Sequence, residues 1–151
     1  MLDVDAVKQT TKDAVAAARA MDYEPSHGFK TLWPDMWCEW ASIAIAEALR
    51  ASELGEWTFV QASRSDELNG HAWLELRDDD GTVLYSIDAT LHQFKHHDSP
   101  FTGPGETPAK SEFTNVRFEG QWRDWHVITH TPKFIEFADA TLRELGLNPA
   151  P

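Results

Sequence analysis

Cys38 is the only cysteine in the chain, and its position suits a nucleophile. It falls at about the third residue of a helix expected from Met36 to Ala51, with Asp35 available as the N-cap. Unpaired backbone N–H groups and the helix dipole favour negative charge there. Together with an imidazolium neighbour they would lower the thiol pKa from about 8.5 and produce a reactive thiolate. The alternative is that Cys38 is a small buried apolar side chain, which is common for a free cysteine.

His71 and Asp88 lie at the ends of a predicted β-hairpin whose strands are Ala72–Arg77 and Thr82–Ile87. If the turn is Asp79-Asp80, His71 lies directly opposite Asp88. If it is Asp80-Gly81, Asp88 lies opposite Trp73, which shares a face with His71. Both registers put the histidine and the aspartate on one side of the sheet. The other side is then an apolar core face, carrying Ala72, Leu74, Leu76, Val83, Tyr85 and Ile87.

These three residue types are those of a thiol acyl-transfer triad. An aspartate beside a histidine fixes the imidazole tautomer and stabilises the imidazolium that forms when the ring takes a proton from a nucleophile. Cys38 would be the nucleophile, His71 the general base and acid, and Asp88 the orienting group. The alternative for His71 and Asp88 is an ordinary cross-strand hydrogen bond without catalytic purpose.

Helices and strands elsewhere in the chain must support this site. Apolar residues at a helical period predict a first helix from Val4 to Met21, and the helix bearing Cys38 is apolar nearly all round, as in a buried helix. Further strands are expected at Trp57–Ala62, Phe113–Phe118 and Trp122–Thr129. A closing helix is expected to begin at Pro132 and end before Gly146. Residues 92–111, rich in proline and glycine, are expected to form a long loop over one face.

The order of these motifs resembles the transglutaminase-like superfamily. The resemblance rests on Cys38 at the start of a buried helix, on Gly-His-Ala-Trp-Leu-Glu-Leu at 70–76, and on Ser-Ile-Asp-Ala-Thr at 86–90. It covers roughly residues 36–91. It implies an α+β fold of the papain-like type, in which the helix carrying the cysteine packs on an antiparallel sheet. By position it also implies Cys38, His71 and Asp88 as the catalytic residues.

Several tryptophans fall near the proposed nucleophile. The backbone N–H of Cys38 is one candidate donor to an oxyanion, and the indole N–H of Trp33 or Trp37 is a second. Trp33, Trp37 and Trp73 are also candidates for the wall of an apolar substrate cleft. Core packing is the alternative for each of them.

Composition excludes several classes of function. The chain has 151 residues, 25 Asp and Glu against 13 Lys and Arg, and a formal net charge of −12. Nucleic acid is therefore a poor partner, because contacts to its phosphates need clustered Lys and Arg. A single cysteine forms no internal disulfide, and no leader or membrane-spanning stretch is evident. We therefore expect one domain over residues 1–151, in the cytoplasm, with no membrane or nucleic-acid partner. The acidic charge suggests that a peptide or protein substrate could be basic.

Two histidine groups are considered for metal and set aside. His92, His96 and His97 with Asp98 lie in the predicted loop without a thiolate, and His126 and His130 lie in a segment that we interpret as a strand. No metal and no cofactor are therefore expected.

The expected function is that of a cysteine hydrolase, a protease or an amidase or deamidase. Attack of Cys38 on a peptide or glutamine-type amide would form a thioester that water releases. A transglutaminase or another acyltransferase is the related alternative, in which an amine intercepts the thioester or a thioester donor supplies the acyl group. A non-catalytic, acidic protein-binding module on the same fold is the alternative from another class.

Overall fold

The computed structural model describes residues 1–21, 29–65 and 70–150 and shows a mixed α+β protein. In these ranges there are four α-helices: α1 (Val4–Ala20), α2 (Cys38–Ala51), α3 (His126–His130) and α4 (Lys133–Glu144). Asp3 caps α1 by accepting a hydrogen bond from the Ala6 backbone N–H at 3.0 Å. Gly146 lies just after α4 with a φ of +72°, a conformation that glycine adopts without strain. No helix among the described residues is both long and apolar enough to cross a bilayer.

In the described ranges, five strands form one antiparallel sheet. They are β1 (Thr58–Ser63), β2 (Gly70–Arg77), β3 (Val83–Asp88), β4 (Phe101–Pro104) and β5 (Asn115–Gly120), in the spatial order β4-β3-β2-β1-β5. The β2–β3 hairpin pairs Leu74 with Ile87 and Leu76 with Tyr85. This is the second of the two predicted registers, which places Asp88 on the same face as His71. A register shift after Leu76 accommodates the turn.

The two faces of the sheet are covered differently. On one face, α2 packs against β2 and β1, and α1 and α4 pack against α2. Ala72, Leu74, Tyr85 and Ile87 contribute to this main core, as the hairpin pattern predicts. On the other face lies a smaller apolar cluster, made of Val60, Ala62, Trp73, Leu91, Ala109 and Phe113. Its cover is residues 89–114, which we call the covering segment.

The covering segment is not a simple loop. It contains β4 and two short 3-10 turns, Leu91–Gln93 and Pro108–Ser111. Strand β4 pairs with β3, so Asp88 lies opposite Phe101. The many prolines and glycines correctly predicted turns, but they did not predict this four-residue edge strand.

The strand predicted at Trp122–Thr129 is wrong. A 3-10 turn occupies Trp122–Asp124 and α3 occupies His126–His130. Short apolar runs such as Val127-Ile128 do not distinguish strand from helix by periodicity. Here Trp122, Trp125 and Ile128 are buried at a three-residue spacing, which is a helical pattern. The strand predicted at Phe113–Phe118 begins two residues later, at Asn115, and the Phe113 side chain packs in the smaller apolar cluster.

Candidate functional site

His71 and Asp88 form a buried hydrogen-bonded pair on neighbouring strands. His71 Nε2 lies 2.8 Å from Asp88 Oδ1, and both side chains are fully shielded from solvent. The second carboxylate oxygen, Oδ2, accepts a hydrogen bond from Thr107 Oγ1 at 2.8 Å. Asp88 is therefore held at both oxygens, and the imidazole ring is oriented by a fixed acceptor.

The partners of His71 define its tautomer. A carboxylate only accepts hydrogen bonds and an amide nitrogen only donates them. His71 Nε2 therefore carries the proton that it donates to Asp88, and His71 Nδ1 carries the lone pair that accepts from Gln93 Nε2 at 3.1 Å. Gln93 Nε2 also donates to Thr90 Oγ1 at 3.1 Å. The nitrogen that would act as a base is thus occupied by Gln93.

Aromatic side chains surround the His71 ring. The ring centroids of Trp73, Phe94 and Phe113 lie 5.8, 4.9 and 5.4 Å from it. The Arg64 guanidinium stacks over Phe94 and Phe113, at 5.4 and 4.8 Å from their centroids. Phe94 and Phe113 belong to the covering segment, so access to His71 depends on this segment.

Gly70 sets the position of His71 at the start of β2. A Cβ at residue 70 would lie 2.9 Å from the Ala62 carbonyl oxygen and would collide with the Gln61 side chain. Only glycine lets β2 approach β1 this closely immediately before the histidine. The glycine of the Gly-His-Ala-Trp motif therefore has a steric function.

Cys38 is the first residue of α2 and is 6% exposed. Burial raises its pKa well above the usual value, and the neighbouring Glu39 carboxylate raises the pKa further by its charge and by accepting the thiol hydrogen bond at 2.8 Å. The backbone N–H groups of Ala72 and Glu39 act in the opposite direction. The resting side chain is therefore a protonated thiol rather than the expected thiolate, because burial and Glu39 outweigh the helix N-terminus.

Cys38 and His71 approach β2 from opposite faces. Cys38 packs in the main core beside Ala72, whereas the His71 ring lies among the aromatic side chains of the other face. Among the described residues no hydrogen bond joins the Cys38 thiol to the His71 ring. The link is through the backbone: the thiol lies beside the N–H of Ala72, the residue after His71. The structure thus joins His71 and Asp88 directly and places the Cys38 thiol beside the backbone of the residue that follows His71.

The predicted cleft tryptophans take three different positions. Trp73 donates its indole N–H to Glu75 Oε1 at 2.9 Å, on the His71 face of the sheet. Trp37 is buried immediately before Cys38 and contacts Trp33, with ring centroids 5.3 Å apart. Trp33 is partly exposed and lines a cavity.

That cavity, of about 490 Å³, lies between α1 and the edge of the sheet. Its α1 wall carries Lys8, Lys12 and Arg19, and the Arg19 guanidinium lies 4.8 Å from the Trp33 ring centroid. Within the described part of the chain no carboxylate pairs with these three cations. Ala89, the residue after Asp88, lines the opposite wall. A basic cavity is unexpected in a chain of charge −12.

Two buried carboxylates were missed by the sequence analysis. Glu75 is fully buried and accepts from Trp73, Arg77 and Lys110. Burial alone would raise its pKa, but these hydrogen bonds and the Arg77 charge lower it below the usual value. Glu47 in α2 accepts from Trp122 Nε1 at 3.0 Å and pairs with Arg50 at 3.0 Å. The alternation in β2 put Glu75 on the face of His71 and Trp73, which was the available signal.

Gln93 and Thr107 were also missed, because they reach the site from turns 5 and 19 residues away from Asp88 in sequence. The histidines of residues 92–98 do not form one group in the structure. His96 and His97 lie beside Glu112, whereas the His92 ring lies 6.0 Å from Trp33. His126 and His130 lie on α3.

Comparison with family models, with curated proteins and with solved structures finds no match to this chain. The class is therefore defined by the structure alone. It is a mixed α+β protein in which a five-stranded antiparallel sheet carries helices on one face and a buried His–Asp pair on the other.

Proposed function

We propose that the chain is a thiol-dependent acyl-transfer enzyme of papain-like architecture, acting as a cysteine hydrolase on a peptide or glutamine-type amide. The observation that carries the proposal is the buried His71–Asp88 pair, whose tautomer leaves the Nδ1 lone pair as a proton acceptor. A second support is Cys38 at the first turn of α2, next to the backbone of Ala72. The resemblance of residues 36–91 to the transglutaminase-like superfamily supports the same assignment.

The reaction begins with an exchange of hydrogen bonds. In the resting arrangement Gln93 occupies His71 Nδ1 and Glu39 accepts from the Cys38 thiol. For catalysis Gln93 leaves Nδ1, and the start of β2 shifts against α2 so that the Cys38 thiol and His71 Nδ1 come within hydrogen-bond distance. The thiol proton then passes to that nitrogen as sulfur attacks the amide carbonyl. Asp88, held by Thr107, stabilises the imidazolium that results.

Collapse of the tetrahedral intermediate completes the transfer. The imidazolium returns its proton to the leaving amine, and the acyl group stays on Cys38 as a thioester. His71 then takes a proton from water, hydroxide adds to the thioester carbonyl, and the acid leaves with regeneration of the thiol. An amine in place of water gives transamidation by the same steps.

The test is detection of the thioester by intact-protein mass spectrometry with a library of peptide and glutamine amides. Wild type is expected to show the acyl adduct, and Cys38→Ala to show none. Cys38→Ser is the matched control for packing, because it changes one atom and replaces the thioester with a slower ester. The proposal is wrong if Cys38→Ala retains turnover or if iodoacetamide modifies Cys38 only after unfolding.

A non-catalytic binding module is the second candidate, favoured by the basic cavity beside α1. Its three basic side chains pair with no carboxylate among the described residues, and the apolar side chains of Val15, Ala16 and Trp33 line the same cavity. Together these side chains suit a ligand with a carboxylate and an apolar body. The Thr11 hydroxyl, which is buried at this cavity, has no hydrogen-bond partner among the residues that the structure describes. This candidate predicts acidic rather than basic ligands.

The acyl-transfer enzyme and the binding module are distinguished by a ligand-binding experiment with two variants. Octanoate is expected to change tryptophan fluorescence through Trp33, with octanol as the uncharged control. Lys12→Ala should weaken octanoate binding, whereas Cys38→Ala should leave it unchanged. Octanoate binding in a protein that forms no thioester with any amide would favour the binding module.

A further inference from the structure

Three side chains with metal-binding atoms converge on the covering segment, away from His71 and Asp88. They are His96, His97 and Glu112, and one donor atom from each lies within 4.8 Å of the other two. His97 Nε2 is 2.8 Å from Glu112 Oε2, and His96 Nε2 contacts Glu112 Oε1. The two imidazole rings lie side by side, with centroids 4.1 Å apart.

The donor set is suited to zinc. Zn²⁺ takes imidazole nitrogen and carboxylate oxygen at about 2.0–2.2 Å, and two histidines with one carboxylate leave a fourth tetrahedral position for water. Donors around such an ion lie about 3.4 Å apart, and the three donor atoms here already lie within 4.8 Å of one another. The softer imidazole pair disfavours Ca²⁺ and Mg²⁺, which select oxygen ligands.

The backbone places these donors firmly while leaving an entry path. The His97 backbone N–H donates to the Phe94 carbonyl at 2.9 Å, and the Glu112 N–H donates to the Ala109 carbonyl at 2.9 Å. His97 and Glu112 are partly buried, whereas the His96 side chain is 54% exposed. An ion can therefore reach the cluster from solvent and meet two positioned donors.

We propose that His96, His97 and Glu112 form a Zn²⁺ site that fastens the two ends of the covering segment over His71. The ion joins the turn after Phe94 to the residue before Phe113, and these two rings pack on the His71 ring. Zinc binding holds both rings in place. The proposal does not depend on the acyl-transfer function, because it concerns the cover and not the reaction.

The first experiment is titration of EDTA-stripped protein with ZnCl₂ in competition with a chromophoric chelator. One ion per chain is expected. His97→Ala and Glu112→Gln should each weaken affinity at least about tenfold, since even outer-shell changes cost about 10-fold to 100-fold. Circular dichroism checks that both variants fold, and Glu112→Gln preserves the size of the side chain.

The double variant His126→Ala/His130→Ala is the matched control. It removes the other closely spaced histidine pair, which lies on α3, and should leave zinc affinity unchanged. Loss of binding in this control, or undiminished binding in His96→Ala/His97→Ala, would assign the ion elsewhere and overturn the proposal. Absence of binding at 100-fold excess of ZnCl₂ over protein would overturn it as well.

Hydrogen–deuterium exchange tests the fastening. Zinc should slow amide exchange in residues 91–97 and 109–114 and leave α2 unchanged, and Glu112→Gln should abolish that slowing. If zinc binds at these three residues without slowing exchange in either stretch, the ion does not fasten the cover, and that part of the proposal fails.

Discussion

The two faces of the central sheet differ in what covers them and in which side chains they bury. The face under α2 is covered by regular helices and packs mainly apolar side chains such as Leu49, Leu74 and Ile87. Glu47 of α2 is a buried carboxylate on this side. The opposite face is covered by short turns and the edge strand β4, and it buries His71, Asp88 and Glu75. The helical cover buries apolar area, whereas the irregular cover supplies Gln93, Thr107 and Lys110 as partners for buried polar groups. The contrast teaches that the polar face depends on specific partners and the apolar face on area.

The largest effect is expected at Asp88. Asp88→Ala leaves the His71 N–H and the Thr107 hydroxyl buried without an acceptor and should cost about 2–6 kcal/mol, since each buried donor without an acceptor costs about 1–3 kcal/mol. Urea unfolding monitored by circular dichroism measures this. Ser86→Ala is the control on the same strand and face. It removes one hydrogen bond to the Gly105 carbonyl and should cost about 1 kcal/mol. Equal losses would mean that the polar face does not depend on Asp88.

Truncation in the two apolar clusters compares the covers directly. Leu49→Ala opens a cavity under α2 and should cost about 3 kcal/mol in global unfolding. Leu91→Ala acts under the covering segment and should cost about 2 kcal/mol, because the turns around it can collapse into the space. In hydrogen exchange, Leu91→Ala should accelerate residues 89–114 and spare α2. Uniform acceleration in both variants would show that the two faces unfold as one unit.

Gly70 tests how closely the His71 face is packed at its edge. Gly70→Ala forces a shift against the Ala62 carbonyl and should cost about 1–3 kcal/mol, as overpacking usually does. Gly103→Ala is the matched strand substitution, since its Cβ would meet the Phe101 ring at an ordinary 3.5 Å. Differential scanning calorimetry should show a clearly lower Tm for Gly70→Ala only. The His71 imidazole resonances in NMR should shift in the same variant.

The smallest effect is the acid dependence due to Glu75. Its folded pKa lies below the usual value, so the unfolded state binds more protons as pH falls through the two pKa values. The stabilisation is complete above the usual carboxyl pKa and is lost as pH decreases toward the folded one. Urea unfolding from pH 7 down to pH 3 should therefore lose less stability in Glu75→Gln than in wild type. Glu144→Gln, on the exposed end of α4, should lose as much stability as wild type over this pH range. A smaller loss in that variant would mean that the pH dependence comes from the net charge of the protein and not from Glu75.

Local pattern predicted much of this architecture. Periodicity identified α1, α2 and α4, and the alternation in 72–77 and 82–87 identified the hairpin and its core face, because both patterns reflect which side chains meet apolar neighbours. The segment Trp122–Thr129 was misassigned, since three buried residues at helical spacing are too few to outweigh a β-branched run. The local sequence pattern did not predict strand β4, because this strand depends on pairing with β3, which lies more than ten residues earlier in the chain.

The sequence by itself determined that His71 and Asp88 share a face, since side chains alternate along strands and both hairpin registers agree. It also predicted Cys38 near the start of a buried helix, although α2 begins at Cys38 rather than Met36 and its N-cap is Trp37 rather than Asp35. Tertiary structure alone decided that Gln93 occupies the His71 lone pair, that Glu39 and burial keep the Cys38 thiol protonated, and that Glu112 meets His96 and His97. Each of these depends on packing between segments or on desolvation. Neither is encoded in the spacing of neighbouring residues.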